Sequence, residues 1–248
     1  MLRVSVVIPS LNDAIMLSTC LRAIAAGTRQ PDEIVVVDNG STDDTARVAR
    51  EAGARVVDEP VRGIFPATAA GFDAATGDIL ARLDADSVPP ADWIERLVGA
   101  FEADPQLDAL SGPGRFYGGN RVVHWVAENL YIGGYIWFVG LLLGHAPLFG
   151  SNLGLRASAW RELRETVHRD RREIHDDLDL SIHLQPHMAA RFDRSLHVGV
   201  SARPFSSFSG LRRRVVWAFT TLELNRREQS YRERRRARRA HQRESASR

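Results

Sequence analysis

The chain has 248 residues, 44% hydrophobic and 26% charged, with a formal net charge of +2; this is enough to bury a full core and excludes the fibrous and disordered classes. Its one cysteine, Cys20, excludes an internal disulfide and makes a reducing compartment the default expectation. The charge is uneven: Leu211–Arg248 holds 13 Arg against 4 Glu, a balance of +9 that leaves about −7 for the first 210 residues, and lysine is absent throughout. Met1-Leu2-Arg3 leads straight into Val4–Pro9, which reads as a buried strand rather than the apolar core of a secretory signal. Further apolar, β-branched runs at Glu33–Val37, Ala54–Val57 and Asp78–Leu83 have strand length. Helical patterns lie between them at about 13–26, 42–52 and 64–75, the second with Ser41 as its expected N-cap and Asp44 three residues on. This alternation predicts a mostly parallel sheet with right-handed crossovers and helices on both faces. The second half is less regular. A helix is expected after Pro89-Pro90, around Asp92–Glu102, then a strand over Leu107–Gly112. Leu130–Gly144 is an apolar stretch of fifteen uncharged residues. Gly150–Asn152 precedes a short strand, Asp176-Asp177-Leu178-Asp179 opens a helix, and short strands are expected near Arg191–Asp193 and Leu196–Val200. An Arg-rich helix ends the chain, with disorder expected after about residue 240.

Ligands of parallel α/β sheets bind at the carboxyl ends of the strands, which puts Pro9-Ser10, Asp38-Asn39 and Asp84-Ala85-Asp86 on one rim. Two carboxylates one residue apart can share a hard divalent cation, Mg²⁺ or Mn²⁺, with a substrate diphosphate. An isolated Asp-x-Asp is also what a polar loop closing a strand looks like.

Context narrows the choice. Val4-Ser5-Val6-Val7-Ile8-Pro9-Ser10-Leu11-Asn12, then Ile34-Val35-Val36-Val37-Asp38-Asn39-Gly40-Ser41-Thr42-Asp43-Asp44-Thr45, resembles the opening of family 2 glycosyltransferases. The spacing to Gly77-Asp78 and Asp84-Ala85-Asp86 fits, and Gly150-Ser151-Asn152-Leu153 and His175-Asp176-Asp177-Leu178-Asp179-Leu180 resemble the family's acceptor-loop and catalytic-base motifs. The resemblance covers about residues 3–200. It implies a single α/β domain of the GT-A type over 1–205, with a nucleotide-sugar-binding half (1–110) and an acceptor-binding half (111–205), followed by an Arg-rich helix and tail (206–248). It further implies that Asp38 contacts the nucleotide base, with Pro9 and Ser10 lining the same pocket. Asp84 would contact the ribose or the metal beside Ala85, and Asp86 would bind the metal. Gly150, Ser151, Asn152 and Asp176 would face the acceptor, and Asp177 would be the general base. His197 stands where some related enzymes place a third metal ligand. His183 and His187, at i and i+4 after Asp177, read as structural or exposed.

One departure stands out. The family's usual Ala-Arg-Asn triplet is replaced by Ala67-Thr68-Ala69-Ala70-Gly71. Arg62 is a candidate source of the missing positive charge, with a solvated loop arginine as the simpler reading.

The implied reaction is inverting transfer of a hexose-type sugar from a UDP- or GDP-sugar to a hydroxyl. The leaving diphosphate needs a cation to neutralise building charge, and the acceptor needs a carboxylate to take its proton. The apolar run is short for a membrane span of roughly twenty residues, so it reads as a core helix or an interfacial one. Its aromatics and the Arg tail suit a polyprenyl- or lipid-linked acceptor and peripheral contact with an anionic membrane from the cytoplasmic side. No nucleic-acid motif accompanies the arginines, and no nucleic-acid partner is expected. A nucleotidyltransferase would open with a Gly-rich phosphate loop, which Ser10-Leu11-Asn12-Asp13 is not. A catalytically silent nucleotide-binding module of the same fold is the remaining rival, given the missing Arg-Asn.

Overall fold

The structure is a computed structural model that describes residues 1–117, 133–203 and 208–247. Seven strands form one mixed sheet in the order β3-β2-β1-β4-β7-β5-β8. They are β1 (Val4–Ser10), β2 (Glu33–Asp38), β3 (Arg55–Asp58), β4 (Ile79–Arg82), β5 (Leu107–Ser111), β7 (Leu153–Arg156) and β8 (Ala189–Phe192). β1 to β4 pair in parallel, as the alternation predicts. β7 runs antiparallel to both its neighbours, and β5 pairs β8 in parallel. A second, two-stranded parallel sheet joins β6 (Gly114–Tyr117) to β9 (Val198–Ser201).

All seven residues of β1 are buried, as expected of a parallel strand covered on both faces. Alternation splits its side chains between two cores. Val4, Val6 and Ile8 pack with α1 (Ala14–Ala25) and α4 (Trp93–Ala103), through Leu17, Leu21, Ile24, Trp93, Leu97 and Phe101. Val7 packs on the other face with α3 (Ile64–Ala74) and α6 (Ala157–Leu163), through Phe65, Phe72, Trp160 and Leu163. In α1 the buried positions Leu17, Cys20, Leu21 and Ile24 follow the helical repeat. α3 lies very close to the sheet at Gly71, where a Cβ would overlap Val7 Cγ1 and stand 2.8 Å from Val37 Cγ2.

Some elements differ from expectation. α2 (Thr45–Glu51) starts after Asp44, with no side-chain cap bond from that residue. Ser41 does not cap it, because Ser41 Oγ accepts from Asn12 N at 3.0 Å while Asp43 Oδ1 accepts from Thr45 N at 3.0 Å. The loops after β1 and β2 are thereby tied to each other. α7 (Asp176–His183) ends before His187, so the two histidines do not share a helix. The apolar run contains α5 (Gly133–Leu143), and its first three positions, 130–132, lie outside the described residues. Val139 and Leu143 of α5 pack on Leu178 and Ile182 of α7, whereas Trp137 is 70% exposed and Phe138 and Leu141 about half exposed. Among the described residues no helix is long and apolar enough to cross a membrane.

The Arg-rich end is two helices, α8 (Phe208–Glu228) and α9 (Tyr231–Ala246), the latter extending through the segment expected to be disordered. Ser230 and Glu233 form a reciprocal capping box at its start. Arg238, 6% exposed, donates to the carbonyls of Leu184, Gln185 and Met188. These carbonyls belong to the C-cap of α7, Leu184, and to the turn that follows it.

Replacing Gly71 by Ala should cost about 1–3 kcal/mol through overpacking and lower the melting temperature by roughly 3–10 °C. Gly99→Ala, on α4 where a Cβ meets nothing within 4 Å, should be neutral or stabilising. Equal melting temperatures for the two variants would show that α3 does not press on β1.

Candidate active site

At the carboxyl ends of β1 and β4 the sheet opens into a cavity of about 620 Å³. Pro9 and Ser10 close β1 on one side, and Asp84, Ala85 and Asp86 follow β4 on the other. The antiparallel register sets Leu153 opposite Arg82, which brings the turn before β7 beside the end of β4. Gly150 and Ser151 therefore line the same cavity, as do Asp176 and Asp177 from the first turn of α7. Acids in that turn are favoured by the helix dipole. The remaining wall comes from α8, with Trp217, Ala218 and Phe219 beside Arg213 and Arg214.

Arg82 links these groups. It is 3% exposed, and its Nη2 lies 2.8 Å from Asp84 Oδ1 and 3.3 Å from Asp176 Oδ2. Burial works against its charge, but the carboxylates of Asp176, Asp84 and Asp177 outweigh that and push its pKa up. Burial pushes the Asp176 carboxyl up, against the pull of Arg82 and with the repulsion of Asp177 added. Thr68 Oγ1, from the place in α3 where the family carries its Arg-Asn, donates to Asp176 Oδ2 at 2.8 Å. Asp177 is half-buried and oriented through its backbone neighbours: Oδ2 accepts from Gly150 N at 3.0 Å and Oδ1 from Leu178 N at 2.8 Å. Ser151 Oγ donates to Asp84 Oδ2. Gly150 itself is required, since a Cβ there would overlap the Arg82 guanidinium.

Asp86 sits in a crowd of acids. Burial, with Asp84 next, pushes its carboxyl up to about 6, partly offset by Arg203. Arg203 Nη2 lies 3.4 Å from Asp86 Oδ2 and 2.8 Å from Asp13 Oδ1. A buried carboxyl whose ionisation is opposed by burial and by a neighbouring acid, as Asp86 is, forms a fitting seat for a divalent cation shared with Asp84.

Four residues expected at the site do not line the cavity. Asn152 is buried behind it, accepting from Trp93 Nε1 at 2.9 Å and donating to Leu196 O at 2.6 Å; it fastens the turn rather than facing a ligand. Asp38 Oδ1 accepts from Ser41 N at 2.9 Å, and the exposed Arg62 donates to Gly40 O at 2.8 Å. Both are next in sequence to lining residues, Asn39 and Gly63. His197 is turned to its own loop, with Nδ1 3.1 Å from Ser195 O. The sequence reading missed Arg82, Asp13, Arg203 and the α8 wall. An arginine closing the apolar run Ile79–Leu83 was a visible signal for Arg82; the others become neighbours only through the fold.

A nucleotide-sized cavity at the ends of parallel strands, with an Asp-x-Asp pair on its lip and a mixed sheet behind it, defines the GT-A class. The model of glycosyl transferase family 2 matches residues 5–164, and the chain belongs to that family. A glucosyl-3-phosphoglycerate synthase from Mycobacterium tuberculosis, solved with Mn²⁺, UDP and phosphoglyceric acid, superposes with a TM-score of 0.63 at 25% identity, covering 90% of this chain and 78% of that one. An uncharacterized glycosyltransferase of the same organism is 44% identical over 122 residues, 49% of this chain and 52% of the relative. An undecaprenyl-phosphate 4-deoxy-4-formamido-L-arabinose transferase from Klebsiella pneumoniae is 39% identical over 118 residues, 44% of this chain and 36% of that protein. The chain thus matches about half, or less, of the length of these curated relatives.

Because its folded pKa is raised, Asp86 stabilises the fold most when protonated, and that contribution is lost as pH rises through about 6. In metal-free protein, Asp86→Asn should flatten the fall in melting temperature between about pH 4 and about pH 6 and raise it by roughly 2–6 °C at about pH 7.5. An unchanged pH profile would show that the carboxyl is not crowded.

Proposed function

We propose that the protein is an inverting, metal-dependent glycosyltransferase that moves a sugar from a UDP- or GDP-sugar to a hydroxyl acceptor. The observation that carries this reading is the convergence of Asp84, Asp86 and Asp177 on one cavity, with the Gly150–Ser151 turn between them. The Mn²⁺ and UDP of the solved synthase support it as properties of that protein. In this reading Pro9 and Ser10 line the nucleotide pocket, with Asp38 and Arg62 flanking it. Asp84 and Asp86 would hold Mg²⁺ or Mn²⁺, and the bound cation would supply charge neutralisation for a leaving diphosphate. Arg82 supplies from β4 the positive charge that α3 lacks.

Asp177 is the general base. Its Oδ2, fixed by Gly150 N–H, takes the proton of the acceptor hydroxyl as the oxygen attacks the anomeric carbon from the face opposite the diphosphate, which inverts that centre. Asp176, held by Thr68 and Arg82, positions the first turn of α7.

The acceptor is polyprenyl- or lipid-linked in this reading. Trp217, Ala218 and Phe219 give the cavity an apolar wall, and Arg213 and Arg214 stand beside it, a combination suited to a phosphate joined to a hydrocarbon chain. The exposed Trp137, Phe138, Leu141, Val215 and Val216 would meet the cytoplasmic face of an anionic membrane. The names of two relatives point the same way: the undecaprenyl-phosphate transferase, and a glucosyl-dolichyl phosphate glucuronosyltransferase from Haloferax volcanii, 31% identical over 132 residues. A small phosphorylated acid is the second reading, favoured by the same two arginines and by the phosphoglyceric acid of the solved synthase.

Melting temperature should rise with one of UDP, GDP, CDP or dTDP only when Mn²⁺ is added, by mass action on the folded state, and Asp86→Ala should abolish the rise. No rise with any nucleotide would overturn the donor-site reading, while a rise without any donor hydrolysis or transfer would put the catalytically silent nucleotide-binding module ahead. Asp177→Asn should lower transfer by roughly 10²–10⁴-fold while keeping the nucleotide-dependent rise; undiminished transfer would remove Asp177 from the chemistry. Assays with a sugar carried on a polyprenyl phosphate, which offers a free hydroxyl, and with a water-soluble phosphorylated hydroxy acid separate the two acceptors, and equal turnover of both would sink the lipid reading.

A further inference from the structure

Three side chains on the far side of α7 from the cavity meet in a way the transfer reaction does not use. His168 precedes α7, His183 ends it, and Glu228 ends α8. One donor atom from each of His168, His183 and Glu228 falls within a common span of 4.8 Å. His168 Nε2 lies 2.7 Å from Glu228 Oε1, and His183 Nε2 lies 3.8 Å from Glu228 Oε2. The two rings meet edge to face at 5.3 Å.

The orientation of the two imidazoles is fixed from behind by a single residue. His168 Nδ1 is 2.8 Å from Asp179 Oδ1, and His183 Nδ1 is 2.9 Å from the Asp179 carbonyl. With each Nδ1 turned to Asp179, each Nε2 faces the Glu228 carboxylate, and the 2.7 Å from His168 Nε2 to Glu228 Oε1 is a hydrogen bond whose proton a cation can replace. Asp179 is in turn held by His168 N at 2.9 Å and Asn225 Nδ2 at 2.7 Å, and it is fully buried. A histidine that turns its second nitrogen to a carboxylate or a carbonyl, with that partner itself hydrogen-bonded, is the supporting arrangement found behind metal-bound imidazoles.

We propose that His168, His183 and Glu228 form a second divalent-metal site, of zinc type, that clamps α8 to α7. Two imidazole nitrogens and one carboxylate oxygen suit Zn²⁺, and three protein ligands leave a fourth position for water. His168 and His183 are largely buried while Glu228 is half exposed, so the cation enters from the solvent side. Arg234 Nη2 stands 4.0 Å from Glu228 Oε2, outside hydrogen-bonding range, and leaves that oxygen available. Binding displaces the proton held between His168 Nε2 and Glu228 Oε1, so one proton leaves as one cation enters. The cation would join the helix that carries Asp176 and Asp177 to the helix that supplies the apolar wall.

The test uses full-length Asp86→Ala protein, which removes the cation seat in the cavity, without nucleotide. One equivalent of Zn²⁺ is expected to bind and to raise the melting temperature by a few degrees, and Co²⁺ added to the metal-free protein should show the visible bands of a four-coordinate site that Zn²⁺ then abolishes. Glu228→Gln and His183→Ala, added separately, should each abolish the stoichiometric binding. Glu228→Gln changes a half-exposed side chain, so it reports even where His183→Ala fails to fold. Removing His187 and His241, a surface pair with ring centroids 6.4 Å apart, should leave binding intact. No Zn²⁺ bound at micromolar concentration, or binding that survives Glu228→Gln, would overturn the proposal.

Discussion

Arg82 is a guanidinium buried at the end of a core strand, facing acids that arrive from distant parts of the chain. Burying an ion costs several kcal/mol unless it is paired and hydrogen-bonded, so Asp84 and Asp176 must close on it for the strand to end there. That demand fixes the rest of the site. Asp176 anchors the first turn of α7 and so sets where Asp177 points. The turn before β7 must pass over the guanidinium without a side chain, which is why Gly150 is a glycine. Asp86, next along, is buried beside these carboxylates, and burial first and Asp84 second make it a carboxyl that resists ionisation. That crowding of acids is a property of the fold before any ligand enters.

Much of this was legible in the residues. The parallel half was readable because strands buried on both faces are continuous apolar runs, and the helices between them keep a regular repeat. The motif residues that line the cavity were readable by type and order. The direction of β7 was not, since periodicity reports burial and carries no orientation. β6 is short and interrupted by Gly114 and Arg115, and α6 begins directly where β7 stops, so neither announces itself. Ser41 looked like a cap because local spacing cannot show that Asn12, from another loop, takes its hydroxyl. The Asp13–Arg203 pair joins residues 190 positions apart, a contact that only the closed fold creates. The tail reads as a basic helix with a disordered end because composition does not distinguish Arg238, inserted against backbone carbonyls, from its exposed neighbours.

The apolar run Leu130–Gly144 left two readings open, and α5 combines them. One edge, Val139 and Leu143, packs on α7, and the other carries Trp137, Phe138 and Leu141 outward. A helix apolar all round signals burial, but it does not say whether protein alone or a further surface completes it.

The α8 wall has a consequence for how such proteins diversify. Pro9, Ser10, Asp84, Asp86 and Asp177 are held by the sheet and by α7, whereas Trp217, Ala218 and Phe219 belong to α8, which packs on α7 from outside. Substitutions in that helix can recast one side of the cavity without disturbing the strands. Lineages that exchange this short C-terminal segment could change what enters beside the donor while inheriting the donor chemistry intact, and a library confined to α8 would sample the same space in the laboratory.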